Sequence, residues 1–171
     1  CTTNPATKQH QTTHRGGRIL FTNLVIGTVM MVINLGIQVL AVAFLVGYFT
    51  RRIDAGQQAA TFTEESMTLS VVMAVLIIGH IFMFATWATL FVWLGEFEDF
   101  ATAFYHSTVN FTSLGYGDIV MSEEYRLLGA LEAANGVLMF GLSAGAILSV
   151  MNVLFSRRKA VAALKGGLSN D

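Results

Sequence analysis

The sequence predicts an all-α membrane protein with three transmembrane helices and a short re-entrant helix between the second and the third. Hydrophobic residues make up 54% of the 171 residues and charged residues only 12%, half of the roughly 25% that is typical of soluble domains. A single proline is compatible with long uninterrupted helices. Ten basic residues against eleven acidic ones leave no basic excess, so nucleic acid is not an expected partner.

The first predicted helix lies behind a polar N-terminal tail over 1–17. Residues 18–61 are predicted to form a transmembrane helix and a polar connector. No charged residue occurs between positions 19 and 49, which is more than the roughly 20 residues that cross a bilayer. Because this stretch is too short for two spans and a turn, it predicts one long helix that is tilted or protrudes from the membrane.

The second half of the sequence, residues 62–157, contains two further spans and an interruption between them. The predicted parts are an outer helix over 62–94, a short helix over 99–111, a loop over 112–118, an inner helix over 123–156, and a C-terminal tail over 158–171. The short helix cannot cross a bilayer. Non-helical backbone at membrane depth must be buried in protein or line a watery cavity, so this re-entrant segment needs partners.

The loop reads Thr-Ser-Leu-Gly-Tyr-Gly-Asp from Thr112 to Asp118. Its two glycines flank one residue and allow unusual backbone angles. An extended strand of this kind can turn successive carbonyl groups to one side. Rings of such carbonyls from several chains are able to replace the hydration shell of a cation.

This signature, with a short amphipathic segment before it and a span on each side, resembles that of potassium channels, whose common form is TTVGYGD. The resemblance covers residues 70–157 and implies passive, potassium-selective conduction, no enzymatic activity and no cofactor besides the permeant ion. It implies a selectivity filter of Thr112, Ser113, Leu114, Gly115, Tyr116, Gly117 and Asp118, with K⁺ held at Ser113, Leu114, Gly115 and Tyr116. Four strands form the filter in this family, so the expected assembly is a homotetramer, a tetrameric pore in membrane lipid.

The sequence departs from the family pattern at three positions. Ser113 stands where threonine is usual, Leu114 where valine or isoleucine is usual, and Met121 where proline is frequent. A weakly selective monovalent cation channel is therefore an alternative. A non-conducting structural membrane subunit, in which the glycines only form a turn, is a second alternative. The first span has no regular series of Arg or Lys, so voltage sensing is not expected.

The resemblance also assigns roles on the inner helix. Gly136 and Gly141 match the gating hinge of the family, with close helix packing as the alternative explanation for each glycine. Three further residues are expected to line an apolar cavity below the filter: Val137, Phe140 and Ala144.

Polar residues inside the helices give further expectations. His106 is predicted to support the filter through a contact with Asp118, direct or through water, or else to pack against neighbouring helices. Glu132 is predicted to brace the filter through Ser107 or Thr108, or else to extend outward along the helix. Asn34, Gln38 and His80 are expected to form hydrogen bonds between the first two helices.

The orientation follows from the family's filter, which is entered from outside the cell. The N-terminus is then outside, the C-terminus is cytoplasmic, and the expected location is the plasma membrane. This orientation places a group of basic residues on the cytoplasmic side, as the positive-inside rule requires: Arg51, Arg52, Arg157, Arg158, Lys159 and Lys165.

Overall fold

The computed structural model describes residues 5–54 and 62–167, which form four helices. These are α1 (Pro5–Asp54), α2 (Phe62–Trp93), α3 (Phe100–Phe111) and α4 (Arg126–Gly167). Three segments are long and apolar enough to cross a membrane: Gly16–Tyr48, Thr63–Trp93 and Arg126–Lys159. The predicted all-α membrane protein with three spans is thus confirmed. The fourth helix, α3, has 12 residues and is too short to span a bilayer.

The helix bounds differ from the predicted ones at both termini. Helix α1 begins at Pro5, inside the predicted polar tail, and α4 continues to Gly167 instead of ending at 156. Extension of an existing helix needs no new nucleus, and the added part of α4 is rich in Ala, Leu, Lys and Arg, which favour helix. Most of the predicted connector, and the ends of both predicted tails, lie outside the described residues.

Helix α4 begins at Arg126, three residues after its predicted start at 123. A turn precedes it, in which the carbonyl oxygen of Ser122 accepts hydrogen bonds from the N–H groups of Tyr125 (3.3 Å) and Arg126 (3.0 Å). The N–H and hydroxyl groups of Ser122 both donate to the carboxylate of Glu96, at 2.7 Å each. Ser122 therefore ties the start of α4 to the connector that follows α2.

The chain divides into two compact units, one formed by 1–35 and 83–138 and the other by 36–82 and 139–171. In the first unit, aromatic side chains of α2 pack on α3. The rings of Phe84 and Phe111 are 5.0 Å apart, and those of Phe91 and His106 are 5.7 Å apart. Phe91 and Phe111 are fully buried, so their apolar contacts fix the position of α3.

Helix α1 contributes amide and glycine contacts to the first unit. Asn23 donates to the backbone carbonyl of Glu124 at 2.6 Å, and Asn34 accepts from the Thr86 hydroxyl at 2.8 Å. Gly27 lies so close to Leu131 that an added Cβ would collide with that side chain. Small residues and interhelical hydrogen bonds are the usual means of helix association in membranes.

In the second unit, a chain of hydrogen bonds joins α1, α4 and α2. Gln38 donates to the Ser143 hydroxyl at 2.9 Å, and that hydroxyl lies 3.2 Å from Nε2 of His80. The expected bond between the first two helices is therefore found for Asn34, whereas Gln38 and His80 both bond to α4. Arg158 near the end of α4 forms a two-point ion pair with Glu65 in the first turn of α2.

Candidate functional site

The short helix α3 is fixed at its N-terminus by a side-chain cap. Asp99 accepts hydrogen bonds from the N–H of Thr102 (2.8 Å) and from its hydroxyl (2.6 Å), and these bonds lower the pKa of Asp99. At the other end, the N–H of Thr112 donates to Thr108 O at 3.2 Å. The negative end of the helix dipole therefore lies where the filter loop begins, and it favours a cation there.

The backbone of the filter loop has a positive φ at every second residue. The values are 59° at Ser113, 57° at Gly115 and 72° at Gly117. A Cβ added to either glycine would meet open space, so the glycines are needed for their backbone angles and not for room. Ser113 adopts the left-handed region at a cost of about 1–2 kcal/mol, and strain of this kind is concentrated at functional sites.

This alternation of backbone handedness has a consequence for the carbonyl groups. In general, a backbone that alternates between right- and left-handed residues lines up successive N–H groups on one side and leaves the carbonyls for the other, and the alternating sign of φ in this loop is compatible with that arrangement. A row of carbonyls is what a dehydrated alkali cation requires as a substitute for water. Within the single chain the loop is exposed, with Leu114 at 57% and Tyr116 at 67%.

The C-terminal end of the loop is held by α3. The hydroxyl of Tyr105 donates to the carboxylate of Asp118 at 2.8 Å, which raises the pKa of Tyr105. The hydrogen-bonding nitrogen Nδ1 of His106 lies 3.1 Å from the carbonyl oxygen of Ile119, so the predicted contact of His106 with Asp118 is not a direct hydrogen bond of this nitrogen, and a contact through water stays a prediction. Two adjacent residues of α3 thus hold two adjacent residues at the end of the loop, Asp118 and Ile119.

Behind α3, several polar side chains are fully buried, and three of them have no hydrogen-bond partner among the described residues: Ser107, Glu132 and Asn135. The carboxyl group of Glu132 faces Ser107 and Asn110, although neither of its oxygens reaches hydrogen-bond geometry. Thr108 is not its partner, because that hydroxyl donates to Phe104 O at 2.8 Å. The complete burial of Glu132 also excludes the alternative that its side chain extends outward.

Among the residues predicted to be functional on the inner helix, one is in close contact with α3, and the others border open space or are exposed. A Cβ at Gly136 would collide with the carbonyl oxygen of Phe111, so this glycine permits α4 to touch the C-terminal end of α3. A Cβ at Gly141 would meet open space. The three residues predicted to line a cavity are exposed or partly exposed in the single chain: Val137, Phe140 and Ala144. Their roles, and the hinge, stay predictions.

Sequence reasoning missed Tyr105, Asn110 and Gly129. Asn110 follows His106 by four residues, and Gly129, Glu132 and Gly136 follow one another at spacings of three and four. Those spacings place each set on one helix face. The sequence therefore indicates one face on α3 and one face on α4, but it does not show that the two faces contact each other.

Helices α2 and α4, which are long and apolar enough to cross a membrane, enclose the short helix α3 and the glycine loop. Residues 71–152 match a protein family described as ion channel. This segment, which is just under half of the chain, is similar to the two-helix pore module of that family, and α1 lies outside the match. No curated protein and no solved structure shows a significant match to the chain.

Proposed function

We propose that this protein is a potassium-selective channel that conducts K⁺ passively through a pore formed by four copies of the chain. The observation that carries the proposal is the positive φ at Ser113, Gly115 and Gly117, directly after the C-terminal end of α3. A backbone of this kind is able to bring successive carbonyls to one side, where the helix dipole also favours a cation.

The need for further copies is supported by the exposure of the loop and of α4. One chain supplies one strand of carbonyls, which cannot surround an ion. In the apolar 18-residue stretch of each span, only 11% of the residues of α4 are buried within the chain, against 22% for α1 and 28% for α2. Interrupted backbone inside a membrane must be covered by protein or line a watery cavity, and symmetry-related copies of the loop and of α4 supply such a cover.

The choice of potassium is supported by the resemblance of the loop to the potassium-channel signature, in which Tyr116 keeps the aromatic residue between the glycines. Ser113 and Leu114 are the departures that favour the alternative, a weakly selective monovalent cation channel. The non-conducting structural subunit remains the other alternative, and the regular alternation of φ argues against a simple turn.

The proposed orientation places the filter entrance outside the cell and the C-terminus in the cytoplasm of a plasma membrane. The α2–α3 connector and the segment after the filter, which then face outward, carry mainly acidic residues. The predicted cytoplasmic side carries Arg51, Arg157, Arg158 and Lys159. This distribution obeys the positive-inside rule.

The test is ion flux in proteoliposomes that contain the full chain. We expect a K⁺ gradient to drive flux that barium blocks, and a reversal potential in mixed K⁺ and Na⁺ that lies close to the K⁺ equilibrium value. Gly117→Ala should abolish this flux, because alanine is strained at φ 72°, whereas Gly36→Ala, which meets open space on α1, should keep it. Equal K⁺ and Na⁺ fluxes would support the weakly selective alternative, and a monomeric protein without flux would support the structural subunit.

A further inference from the structure

The side chain of Asn110 lies between α3 and α4, behind the filter loop. Its amide nitrogen Nδ2 is 2.8 Å from Nε2 of His106, and the same side chain faces the carboxyl group of Glu132. An ideal Cβ built on Gly129 would lie 2.9 Å from Nδ2 of Asn110. A residue with a side chain at position 129 would therefore displace the amide from its present place.

The two partners of His106 define which ring nitrogen carries the hydrogen. Nδ1 lies against the carbonyl of Ile119, and a carbonyl only accepts, so Nδ1 is the donor. In a neutral ring Nε2 is then an acceptor, and the Asn110 amide supplies the matching N–H. His106 is only 6% exposed, so these two protein groups largely replace water as its hydrogen-bond partners.

We propose that Asn110 and Gly129 are positioning residues for the filter. Asn110 fixes His106 as the Nδ1–H tautomer, and this tautomer holds the Ile119 carbonyl at the outer end of the filter. Gly129 provides the space for the Asn110 amide. The consequence for ion conduction rests on the proposed function. The tautomer and the pKa of His106 do not rest on the proposed function, because they depend only on contacts within the first unit.

The arrangement also opposes protonation of His106. Charged groups face the ring from the α2–α3 connector (Glu96) and from the filter end (Asp118), and both favour the imidazolium. On the α4 side Glu132 lies beyond Asn110, while α2 and the connector contribute the rings of Phe91 and Phe97. Burial outweighs the two charges and lowers the pKa of His106 from its usual value of 6.5.

The sign of the pH dependence follows from the neutral ring. A protonated Nε2 would direct its N–H at the N–H of Asn110, so the bonded arrangement belongs to the neutral form. The stabilisation that the neutral, bonded ring gives the folded chain is fully present well above pH 6.5. It is lost as the pH falls below 6.5 and through the lowered pKa of His106.

The first experiment is ¹⁵N NMR of the histidine rings in the full chain, with His106→Phe used to assign the signal. At pH 7.5 we expect the wild-type ring to carry its hydrogen on Nδ1. Asn110→Leu removes the donor and Gly129→Ala displaces it, so each should abolish the fixed tautomer and raise the pKa of His106, because the neutral ring loses a hydrogen bond that only it can accept. Gly36→Ala, which meets open space, should leave the ring unchanged.

The second experiment measures the pH profile of barium-sensitive K⁺ flux in proteoliposomes. Asn110→Leu and Gly129→Ala should each lower the flux about two- to tenfold, as for the loss of one buried hydrogen bond, and move its acid limb to higher pH. In the His106→Phe background neither substitution should have a further effect on the pH profile.

A wild-type ring protonated on Nε2, or an unchanged tautomer and acid limb in both variants, would overturn the proposal. Wild-type protein without K⁺ flux would overturn the proposed function instead, and the NMR result would still decide the role of Asn110.

Discussion

Buried polar side chains are arranged differently behind the filter and in the second unit. In the second unit Nε2 of Gln38 bonds to Ser143 and Arg158 pairs with Glu65, and among the described buried side chains of this unit a single atom, Oε1 of Gln38, has no partner. Behind α3, in contrast, Glu132 and Asn135 are fully buried and lack hydrogen-bond partners among residues 5–54 and 62–167. An unsatisfied buried polar group costs about 1–3 kcal/mol, so the arrangement behind α3 lowers the stability of a single chain.

The difference indicates where buried polar groups remain without hydrogen bonds among the described residues of the single chain. Hydrogen bonds within the second unit tie its helices together. The region behind the filter combines unpartnered polar groups with a strained, exposed loop, and both features are typical of functional sites. Because both side chains are fully buried within one chain, their partners must come from inside it, and Ser107 and Asn110 are the groups that face Glu132.

The largest expected effect comes from Gly136→Ala, behind the filter. The added Cβ would collide with the backbone carbonyl of Phe111, which cannot turn away as a side chain can. We expect destabilisation by about 3 kcal/mol and, on the proposed function, loss of both the tetramer and K⁺ flux. The fraction of tetramer in size-exclusion chromatography and the midpoint of unfolding in detergent measure the effect.

Gly36→Ala is the matched control for Gly136→Ala, since its Cβ meets open space. A pure hinge role for Gly136 makes a different prediction, namely altered open probability with wild-type stability. That outcome would show that the contact with Phe111 does not determine the role of this glycine.

Glu132→Ala tests the buried carboxyl group. Removing it leaves a cavity next to Ser107 and Asn110, and we expect a loss of about 2 kcal/mol in stability together with weaker K⁺ over Na⁺ selectivity. Glu132→Gln keeps the shape and hydrogen-bonding capacity of the side chain, so it should lose much less. Tetramer stability and the reversal potential are the measurements, and wild-type values for Glu132→Ala would refute the brace.

A smaller effect is expected for the ion pair of the second unit. A double-mutant cycle of Glu65→Gln and Arg158→Gln should give a coupling energy of about 1 kcal/mol, because Arg158 is 46% exposed. The coupling should decrease at high salt. A coupling energy that is zero at low ionic strength, measured from unfolding in detergent, would show that the pair does not stabilise this unit.

The smallest effect is expected for Gln38→Leu, which removes the hydrogen bond to Ser143. Such bonds contribute about 0.6 kcal/mol in membrane proteins, and leucine recovers part of the packing. Unfolding midpoints of the single and double variants with Ser143→Ala provide the measurement. Additive effects of the two substitutions would contradict a direct interaction.

The sequence was sufficient for the parts of the fold that depend on composition and local pattern. The uncharged stretch after residue 19 predicted α1, and the short apolar segment between acidic residues and a glycine loop predicted α3. The TSLGYGD segment predicted unusual backbone angles, which the structure has at Ser113, Gly115 and Gly117. Each of these inferences uses residues that are close together in the chain.

The missed features depend on contacts between distant residues. Glu65 and Arg158 are 93 residues apart, and the contact of Asn110 with Gly129 requires the rotation of α3 relative to α4 to be known. The hydrogen bond from the exposed Tyr105 to Asp118 was not expected either. Helix periodicity defines a face, whereas only packing decides which face it meets.

A density map of the purified protein in potassium-containing buffer tests the central claim most directly. The account predicts four copies around one axis, with Ser113 to Gly117 lining that axis and separate ion densities between rings of their carbonyl oxygens. A map in which the protein is monomeric, or in which this segment lies away from the symmetry axis, would contradict it.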